Sequence, residues 1–454
     1  MNKLKQIRNI YFIGIGGIGM SALARYFLSK GVRVSGYDKT VTALTTALEK
    51  EGVPVHYSEN IDLAPKDVDV VVYTPAIPAQ HAELVYYRNN GYTVVKRSDI
   101  LQWITENAFN ICVAGTHGKT TVSSMIAHIL RHAEYGCNAF LGGITANYNT
   151  NFWSHERNVV VVEADEYDRS FLKLFPDIAV ITSMDPDHLD IYGTAEEVEL
   201  AFVQFAQKLK PGGCLVTKLG LAREKELHAA HHYTYDHRNT AADVYVTNLE
   251  VHKGSYHFSI VGRGWQLDEM VLHMGGLHNI DNILAAVTVA KHIGMEDHKI
   301  RTAVEAFKGV RRRFEYALKT DQHILIDDYA HHPEELNALI SGVRSIFPGE
   351  KLTLVFQPHL FSRTRDQAVG FAESLDRADE VLLLPVYPAR ELPVEGVTSD
   401  LLLHKMKLEH KRVIGKNALL EWMEEHQPRL VVMAGAGDID ALVPKVKIIL
   451  DKIN

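Results

Sequence analysis

Short apolar runs alternate with amphipathic segments along the first hundred residues. Runs at 10–13, 32–36, 68–73 and 93–95 have the length of buried strands, and residues 20–30 have the spacing of a helix. Strands that alternate with helices predict a parallel sheet whose strands are joined by helical crossovers. The first part of the chain is therefore predicted to form an α/β domain.

A second α/β pattern begins near residue 111. It contains a predicted helix at 123–132 and predicted strands at 159–162, 178–182 and 215–217. Residues 243–274 differ, because three short strand-like runs follow one another there and predict antiparallel strands laid beside this sheet. Helices are predicted to follow at 279–293 and 300–307.

A third α/β pattern follows the basic run Arg311-Arg312-Arg313. Its predicted strands lie at 323–326, 352–356, 380–384 and 430–433, and one long helix is predicted at 333–344. The predicted fold class is therefore α/β, with three consecutive domains at 1–105, 106–312 and 313–454.

The composition excludes several classes of protein. The 454 residues are 46% hydrophobic and 23% charged, as in a globular protein with ample core, and the formal net charge of −8 gives no reason to expect a nucleic-acid partner. Three scattered cysteines are too few for a disulfide framework and suit a reducing cytoplasm. No apolar run is long enough to predict membrane insertion, and no signal segment precedes the first strand.

A glycine-rich turn joins the first predicted strand to the first helix. Gly14, Gly16, Gly17, Ile18 and Gly19 fit the pattern G-x-G-x-x-G. The literal interpretation is an NAD-dependent oxidoreductase, because an aspartate at position 38 ends the next strand at the spacing of a ribose-binding acid. A weaker interpretation is only that a diphosphate, including that of a UDP-sugar, lies at a helix N-terminus. A tight turn without a ligand is the third possibility.

A second glycine-rich loop follows the apolar residues that end at Ala114. It contains, in order, Gly115, Thr116, His117, Gly118, Lys119, Thr120 and Thr121. The backbone N–H groups of such a loop cradle a triphosphate, its lysine neutralises the β- and γ-phosphates, and its threonine hydroxyl binds Mg²⁺. The loop departs from the common phosphate-loop pattern, because Val113 stands where the first glycine is expected. A helix start without phosphate is the alternative.

Acidic residues follow two of the predicted central strands. Glu163, the first residue of Glu163-Ala164-Asp165-Glu166, is favoured as a further Mg²⁺ ligand, because such carboxylates lie where parallel sheets hold ligands. His188, in an aspartate-rich turn after the next strand, is a candidate for a second Mg²⁺ or the transferred phosphate. A solvated acidic loop is the alternative for the Glu163 segment, and a histidine without a functional role is the alternative for His188.

Further polar candidates lie in the last two domains. Asn279 could hydrogen-bond an adenine edge or merely cap its helix. His331 and His332 follow one strand of the third domain, and Arg363 and Arg365 follow the next. The arginines can bind carboxylate or phosphate in bidentate fashion, whereas the twin histidines lack the further ligands of a zinc site.

In combination these motifs resemble the Mur ligases of peptidoglycan synthesis over the whole chain. The segments that carry the resemblance are residues 14–21, 115–121, 163–166, 187–190, 278–282 and 328–333. The resemblance implies a Rossmann-like UDP-binding domain, a central P-loop ATPase domain, and a Rossmann-like C-terminal domain that closes over ATP and binds the amino acid. It reassigns the first glycine loop from NAD to the diphosphate of a substrate.

The resemblance also implies roles for particular residues. ATP is expected to contact residues 115–121 together with Asn279, Asn282, Arg313 and Asp328. One Mg²⁺ is expected on Thr120 and Glu163 and a second near His188, and the catalytic residues are expected to be Lys119, His188 and His332. The substrate contacts are expected to be Gly14, Gly16, Gly17, Ile18, Gly19, Asp38, Thr74, His331, His359, Arg363 and Arg390.

The implied reaction is the ATP-dependent joining of L-alanine to the muramoyl carboxylate of UDP-N-acetylmuramate through an acyl phosphate. Residues 196–207 contain no lysine, which fits the alanine-adding branch because several relatives carry a carbamylated lysine there. Ala330 and Arg390 depart from the pattern frequent in that branch and bear on the choice of amino acid. A monomer or weak homodimer is expected.

Four other functions remain open at the level of sequence. They are a ligase that attaches a recycled murein peptide to the same sugar nucleotide, a folate-polyglutamating ligase, an NAD-dependent dehydrogenase, and a nucleotide-binding regulatory module. The folate ligase would not need the first glycine loop, and the dehydrogenase leaves the second loop unexplained. A regulatory module would not need both Glu163 and the turn at His188.

Overall fold

The computed structural model describes residues 3–186, 189–389 and 391–452, which form three sheets with helices packed against them. Packing divides the chain into two compact units. The first contains the chain up to Thr247 with Ser259–Met270 and Asp281–Phe307, and the second contains Asn248–Phe258, Val271–Ile280 and the chain from Lys308 onward. The α/β class predicted from sequence is confirmed.

The first sheet is wholly parallel, in the order β3-β2-β1-β4-β5. Its strands are β1 Asn9–Ile13, β2 Arg33–Tyr37, β3 Val55–His56, β4 Val70–Tyr73 and β5 Val94–Lys96. Its helices are α1 Ile18–Ser29, α2 Ala43–Lys50, α3 Ala82–Asn89 and α4 Arg97–Thr105. The strand order reverses between β1 and β4, so the crevice at the carboxyl ends of these two strands is where such a sheet binds ligands.

The second sheet has ten strands, in the order β15-β14-β13-β12-β11-β10-β6-β9-β7-β8. The strands are β6 Phe109–Ala114, β7 Asn138–Thr145, β8 Thr150–Trp153, β9 Val159–Glu163, β10 Ile178–Ile181, β11 Cys214–Lys218, β12 His231–Asp236, β13 Val244–His252, β14 Ser255–Gly262 and β15 Trp265–Leu272. The helices are α5 Lys119–His132, α6 Leu189–Tyr192, α7 Ala195–Ala206, α8 Leu277–His292 and α9 Asp297–Ala306. Strand β6 pairs in parallel with β9 and β10, so the polar residues after these three strands emerge at one edge.

The third sheet has the order β16-β17-β21-β18-β19-β20, and only β16 runs antiparallel to its neighbour. The strands are β16 Glu315–Lys319, β17 Ile324–Asp328, β18 Leu352–Phe356, β19 Glu380–Leu383, β20 Lys411–Val413 and β21 Leu430–Ala434. The helices are α10 Pro333–Ile346, α11 Phe361–Asp366, α12 Ala368–Leu375, α13 Ser399–Lys405, α14 Lys416–His426 and α15 Val443–Asp451. Proline stands at the first position of α10, where its missing N–H has no intrahelical partner to lose.

In the part of the chain that the structure describes, no helix has both the length and the apolar content to cross a bilayer. Cys112, Cys137 and Cys214 are buried, unpaired thiols, and burial raises the pKa of each. The cysteines therefore act as apolar core residues in this fold.

A buried histidine joins helix α5 to α9 and to the turn between β7 and β8. His128 is 1% exposed, its Nε2 lies 2.8 Å from the Ala303 carbonyl oxygen, and its Nδ1 lies 2.9 Å from the Tyr148 hydroxyl. Since a carbonyl only accepts, Nε2 carries the proton and Nδ1 accepts from the hydroxyl. Burial lowers the pKa of His128 to about 4, so this arrangement requires the neutral ring.

This histidine predicts a loss of stability in mild acid. Its folded-state pKa lies below the unfolded value of about 6.5, so unfolding takes up a proton as the pH falls toward 4. We expect acidification from pH 7 to pH 5 to remove about 2 kcal/mol of unfolding free energy through this group. Denaturant unfolding of His128→Gln should show a correspondingly weaker pH dependence. The exposed His132→Gln serves as control, and an unchanged slope in His128→Gln would contradict the assignment.

Candidate active site

The first glycine loop is closed by hydrogen bonds to the end of β2. The amides of Gly14 and Ile15 donate to the Tyr37 carbonyl oxygen at 2.7 and 3.0 Å, and the amide of Gly16 donates to Asp38 Oδ2 at 2.8 Å. Gly14 has φ +87°, which favours glycine. The structure thus brings Asp38, an expected substrate contact, against the loop itself, where its carboxylate fixes the turn that precedes α1.

Other side chains lie close to two of the loop glycines. A Cβ on Gly16 would lie 2.8 Å from Asp38 Oδ2, and one on Gly19 would lie 2.8 Å from Arg97 Nη1. The Arg97 guanidinium therefore lies over the first turn of α1, and it also pairs with Asp165 at 3.1 Å. Thr74, another expected substrate contact, lies beside Gly14. A Cβ on Gly14 would lie 3.2 Å from the methyl group of Thr74.

The second glycine loop depends on two left-handed glycines. Gly115 has φ +133° and Gly118 has φ +83°. A Cβ on Gly115 would lie 2.1 Å from Thr182 Oγ1, and one on Gly118 would lie 2.8 Å from Asn282 Oδ1. Both close approaches require glycine, and they bring Asn282, an expected nucleotide contact, against the loop.

The lysine of this loop is held at two points. Lys119 Nζ donates to the Gly115 carbonyl oxygen at 2.7 Å and to Glu166 Oε1 at 2.7 Å, whereas its contact with the Thr116 carbonyl oxygen is long, at 3.5 Å. Burial raises the pKa of Glu166, and the charge of Lys119 opposes that effect. Sequence reasoning noted Glu166 only as part of a motif and gave it no role.

An oxygen-rich corner forms where β9 ends beside helix α5. Thr120 Oγ1 donates to Glu163 Oε2 at 2.8 Å, and the amide of Gly142 donates to the same oxygen at 3.0 Å. A hydroxyl and a carboxylate are ligands that Mg²⁺ accepts. The structure thus brings together two of the three expected metal ligands, and the third, His188, lies outside the described residues.

The segment after β10 supports the other side of the loop. Thr116 Oγ1 donates to the Asp185 carbonyl oxygen at 2.8 Å, and the amide of His117 donates to Ser183 Oγ at 2.8 Å. Thr182 Oγ1 donates to the carbonyl oxygens of Ala114, at 3.2 Å, and His117. The side chains of Thr116, in the loop, and Thr182, after β10, therefore stabilise the loop in this conformation.

A cavity of about 130 Å³ lies between α1, α4, β7 and β9 in the first unit. Its lining includes Gly19 at the start of α1, Arg97 and Asp165 as an ion pair, and Glu163. Ile18, Leu101 and Phe140 are among its apolar walls. The first glycine loop and the oxygen-rich corner are therefore connected through one cavity.

The start of helix α8 carries Asn279, expected to contact adenine, and Asn282, a further expected ATP contact. The side-chain amide of Asn279 donates to the Gly275 carbonyl oxygen at 2.6 Å, which stabilises the turn before the helix. Asp281 pairs with Lys218 at 2.7 Å, and its Oδ1 lies 2.9 Å from His237 Nδ1. This cluster was not predicted from sequence.

In the second unit, two adjacent aspartates end strand β17. Burial raises the pKa of Asp327 to about 7 and that of Asp328 to about 6. Asp328 accepts from the amides of Phe314 at 2.7 Å and Ala330 at 2.8 Å, and the charge of Arg313 also lowers its pKa. The structure therefore places Arg313 and Asp328, both expected nucleotide contacts, in one electrostatic group.

Arg312 has more contacts in this region than the expected Arg313. Its guanidinium donates to the carbonyl oxygens of Gly435 and Gly437, pairs with Asp440 at 3.2 Å, and lies 4.9 Å from the centre of the Tyr329 ring. Sequence reasoning missed this arginine, because a run of three arginines gives no sign of which one folds inward. Arg313 is exposed.

Three histidines cluster beside these aspartates. The ring of His331 lies 5.0 Å from that of His332 and 6.0 Å from that of His359. Burial lowers the pKa of His331 and lowers that of His359 to about 4, with the charge of Arg363 as a further cause. Arg363 Nη1 lies 3.5 Å from His359 Nδ1. The expected substrate contacts His331, His359 and Arg363 are thus brought together, and Arg390 lies outside the described residues.

Family models match three successive parts of the chain. Residues 9–108 match the Mur ligase family catalytic domain, residues 113–290 match the Mur ligase middle domain, and residues 312–441 match the Mur ligase glutamate ligase domain. These matches cover most of the chain, including both glycine loops.

Curated relatives align over nearly the whole length. The chain is 47% identical to the UDP-N-acetylmuramate–L-alanine ligase of Cytophaga hutchinsonii, over 99% of this chain and 98% of that protein. It is 46% identical to the enzyme of the same name from Flavobacterium johnsoniae, over 99% of each.

Solved structures show the same architecture. The UDP-N-acetylmuramate-alanine ligase of Thermotoga maritima superposes with a TM-score of 0.82 at 27% identity, over 99% of both chains. A murein peptide ligase from Psychrobacter arcticus superposes with a TM-score of 0.68 at 20% identity, over 98% of this chain and 99% of that one. The second likeness concerns the fold alone.

Proposed function

Because the chain belongs to the Mur ligase family, we propose that it is an ATP-dependent ligase that joins L-alanine to the muramoyl carboxylate of UDP-N-acetylmuramate. The observation that carries this proposal is the cavity that joins the start of α1 to Glu163, the carboxylate bonded to Thr120 of the second glycine loop, in a chain that aligns over its length with ligases of that name. Such a reaction would belong to precursor synthesis in the cytoplasm.

The residues present fit ATP at the second loop. Gly115 and Gly118 hold the backbone in left-handed conformations at the start of α5, where N–H groups can face a triphosphate. Lys119 is the cation of this loop, and its third N–H has only the 3.5 Å contact with Thr116. We propose Asn279, Asn282, Arg313 and Asp328 as further nucleotide contacts.

The residues also fit Mg²⁺. Thr120 and Glu163 offer two hard oxygen ligands 2.8 Å apart for one ion, and we propose His188 as a ligand of a second. When bound, the ion neutralises negative charge on the phosphates during phosphoryl transfer.

Loss of Glu163 is expected to weaken the metal site selectively. In Glu163→Gln one charged oxygen ligand is replaced by a neutral one, so the Mg²⁺ concentration for half-maximal activity should rise about tenfold or more. A Mg²⁺ titration of ADP formation measures this. Glu197→Gln, which alters an exposed pair with Arg169, is the control. An unchanged Mg²⁺ requirement in Glu163→Gln would contradict the ligand assignment.

The first loop is proposed to bind the diphosphate of the sugar nucleotide. Gly14, Gly16, Gly17, Ile18 and Gly19 lie at the reversal of strand order, where the amides that begin α1 can bind an anion. Asp38 would stabilise this loop by accepting a hydrogen bond from the Gly16 amide. The NAD interpretation needs Asp38 as a ribose contact and would then lack it. We propose Thr74 as a further contact of this substrate.

The reaction has two chemical steps. A muramoyl carboxylate oxygen attacks the γ-phosphorus of ATP, and the bond to the ADP oxygen breaks, which gives an acyl phosphate. The amine of alanine then attacks the acyl carbon, and inorganic phosphate leaves as the amide forms. Lys119 would stabilise charge on the transferring phosphoryl group in the first step.

The second step requires the amine to lose a proton. Sequence left the proton acceptor open among His331, His332 and a carboxylate, and the contacts favour His331. Its Nδ1 donates to the Tyr329 carbonyl oxygen at 2.9 Å, which leaves Nε2 of the neutral ring as the acceptor. His359, Arg363 and Arg390 are proposed to bind the carboxylate of the amino acid or the leaving phosphate.

Oxygen transfer tests the acyl phosphate directly. UDP-N-acetylmuramate labelled with ¹⁸O in its carboxylate should pass one labelled oxygen to each inorganic phosphate released in the presence of ATP and alanine. Mass spectrometry of the phosphate detects the transfer. Unlabelled phosphate with normal product formation would exclude the acyl-phosphate route.

A further inference from the structure

The buried carboxylate of Glu166 faces the loop lysine and is not used in the reaction described above. Glu166 is 2% exposed, and its Oε1 accepts from Lys119 Nζ at 2.7 Å. Its Oε2 is buried and has no hydrogen-bond partner among the residues that the structure describes. A buried, partly unsatisfied carboxylate is costly to a fold, so its position calls for a physical reason.

The peptide that carries Glu166 is itself anchored. Its carbonyl oxygen accepts from the hydroxyl of Tyr192 at 2.6 Å, and also from the amide of Arg169 at 2.9 Å. Tyr192 is buried at the end of helix α6. The carboxylate is therefore presented to the lysine from a fixed backbone.

The three N–H groups of Lys119 are not equivalent. Two are taken by strong acceptors at 2.7 Å, the Gly115 carbonyl oxygen and Glu166 Oε1, and the third has only a 3.5 Å contact with the Thr116 carbonyl oxygen. A lysine side chain has four rotatable bonds, so two fixed hydrogen bonds greatly restrict where its ammonium can lie. One N–H remains available to a phosphate oxygen.

We propose that Glu166 is a positioning residue for the loop lysine: its carboxylate holds the Lys119 ammonium so that one N–H is kept for the transferring phosphoryl group. This rests on the proposed binding of ATP at the second loop. The carboxylate places a negative charge near the site of the triphosphate, which does not favour binding in the ground state. Its benefit is therefore expected in the rate of phosphoryl transfer and not in nucleotide affinity.

Two variants separate positioning from support of the fold. Glu166→Ala removes both the hydrogen bond and the charge, and Glu166→Gln keeps an acceptor oxygen at the same distance along the side chain. We expect kcat to fall about 10- to 100-fold in Glu166→Ala. In Glu166→Gln, kcat should stay much closer to that of the parent. The dissociation constant of ADP, measured by calorimetry, should stay within about threefold of the parent or decrease in both.

A double-variant comparison shows whether Glu166 acts through the lysine. ADP affinity and residual turnover are measured for Lys119→Met and for Lys119→Met combined with Glu166→Ala. If the glutamate acts only through Lys119, the second change adds no further loss to either quantity. Glu197→Gln, in an exposed ion pair, should behave as the parent does.

Two results would contradict the positioning role of Glu166. An unchanged kcat in Glu166→Ala would overturn the proposal. So would a joint tenfold loss of kcat and ADP affinity in both variants, because that pattern indicates a collapsed loop. If the parent binds ADP but forms no product from the muramoyl substrate, the proposed function fails. The residual ATP hydrolysis of the parent and of Glu166→Ala then tests the role of Glu166, and equal rates would overturn it.

Discussion

Replacing Lys119 with methionine is expected to lower kcat for ADP formation by about a thousandfold or more. The side chain keeps its length and apolar stem but loses the ammonium, which is the positive charge held at the second glycine loop by Gly115 and Glu166. Removal of one well-placed donor to a developing charge costs about 10²–10³ in kcat, and here a full charge is lost as well. A coupled assay for ADP with UDP-N-acetylmuramate, ATP and alanine measures the effect.

The matched control is Lys225→Met, which removes an exposed lysine far along the chain from the loop. Its kcat should equal that of the parent. Thermal unfolding of Lys225→Met should match that of the parent. Lys119→Met should unfold at a lower temperature, because it leaves the buried Glu166 without its cation. Near-normal turnover in Lys119→Met would refute the assignment of this loop to the phosphates.

Replacing Gly115 with alanine is expected to remove activity by distorting the loop. The added Cβ would lie 2.1 Å from Thr182 Oγ1 and 2.9 Å from the Ser183 amide nitrogen, and φ is +133°. The backbone must shift, because both the threonine and the amide belong to the segment that supports the loop. We expect a loss of at least about 100-fold in kcat/KM and about 2–4 kcal/mol of unfolding free energy.

Gly220→Ala isolates the conformational part of that effect. Gly220 has φ +81°, and a Cβ there would meet nothing within 4 Å. Its variant should lose only about 1 kcal/mol of stability and should keep full activity. Parent-like activity in Gly115→Ala, measured beside this control, would show that the loop tolerates a side chain and that its described shape is wrong.

Much of the fold follows from the pattern of apolar residues. Strands such as Val159–Glu163 and Leu352–Phe356 are nearly all apolar, with only Glu163 and Thr353 as polar residues, because parallel strands covered on both faces leave few polar positions. Strands β7 and β12 were not predicted from sequence. Gly142 and Gly143 interrupt β7, and β12 is rich in histidine and tyrosine, so neither has the composition of a buried strand.

The candidate site was only partly predictable from sequence. Motifs identify single residues, whereas contacts between residues distant in sequence appear only in the fold. The loop glycines and Glu163 stand directly in motifs. The importance of Glu166 and Arg97 appears only once Lys119 and Asp165 are brought to them across 47 and 68 residues of sequence. Asp38 shows the converse, because its spacing suggested a ribose contact and the structure gives it a hydrogen bond to Gly16.

Phosphate release with a panel of amine substrates tests the proposed ligase activity most directly. Purified protein is given UDP-N-acetylmuramate, ATP and Mg²⁺ with L-alanine, L-serine, glycine or a murein tripeptide, and phosphate and the sugar-nucleotide product are both quantified. We predict stoichiometric ADP, phosphate and amide product, with the highest kcat/KM for L-alanine. Release only with the tripeptide, or no release with any amine alongside substrate-dependent reduction of NAD, would contradict it.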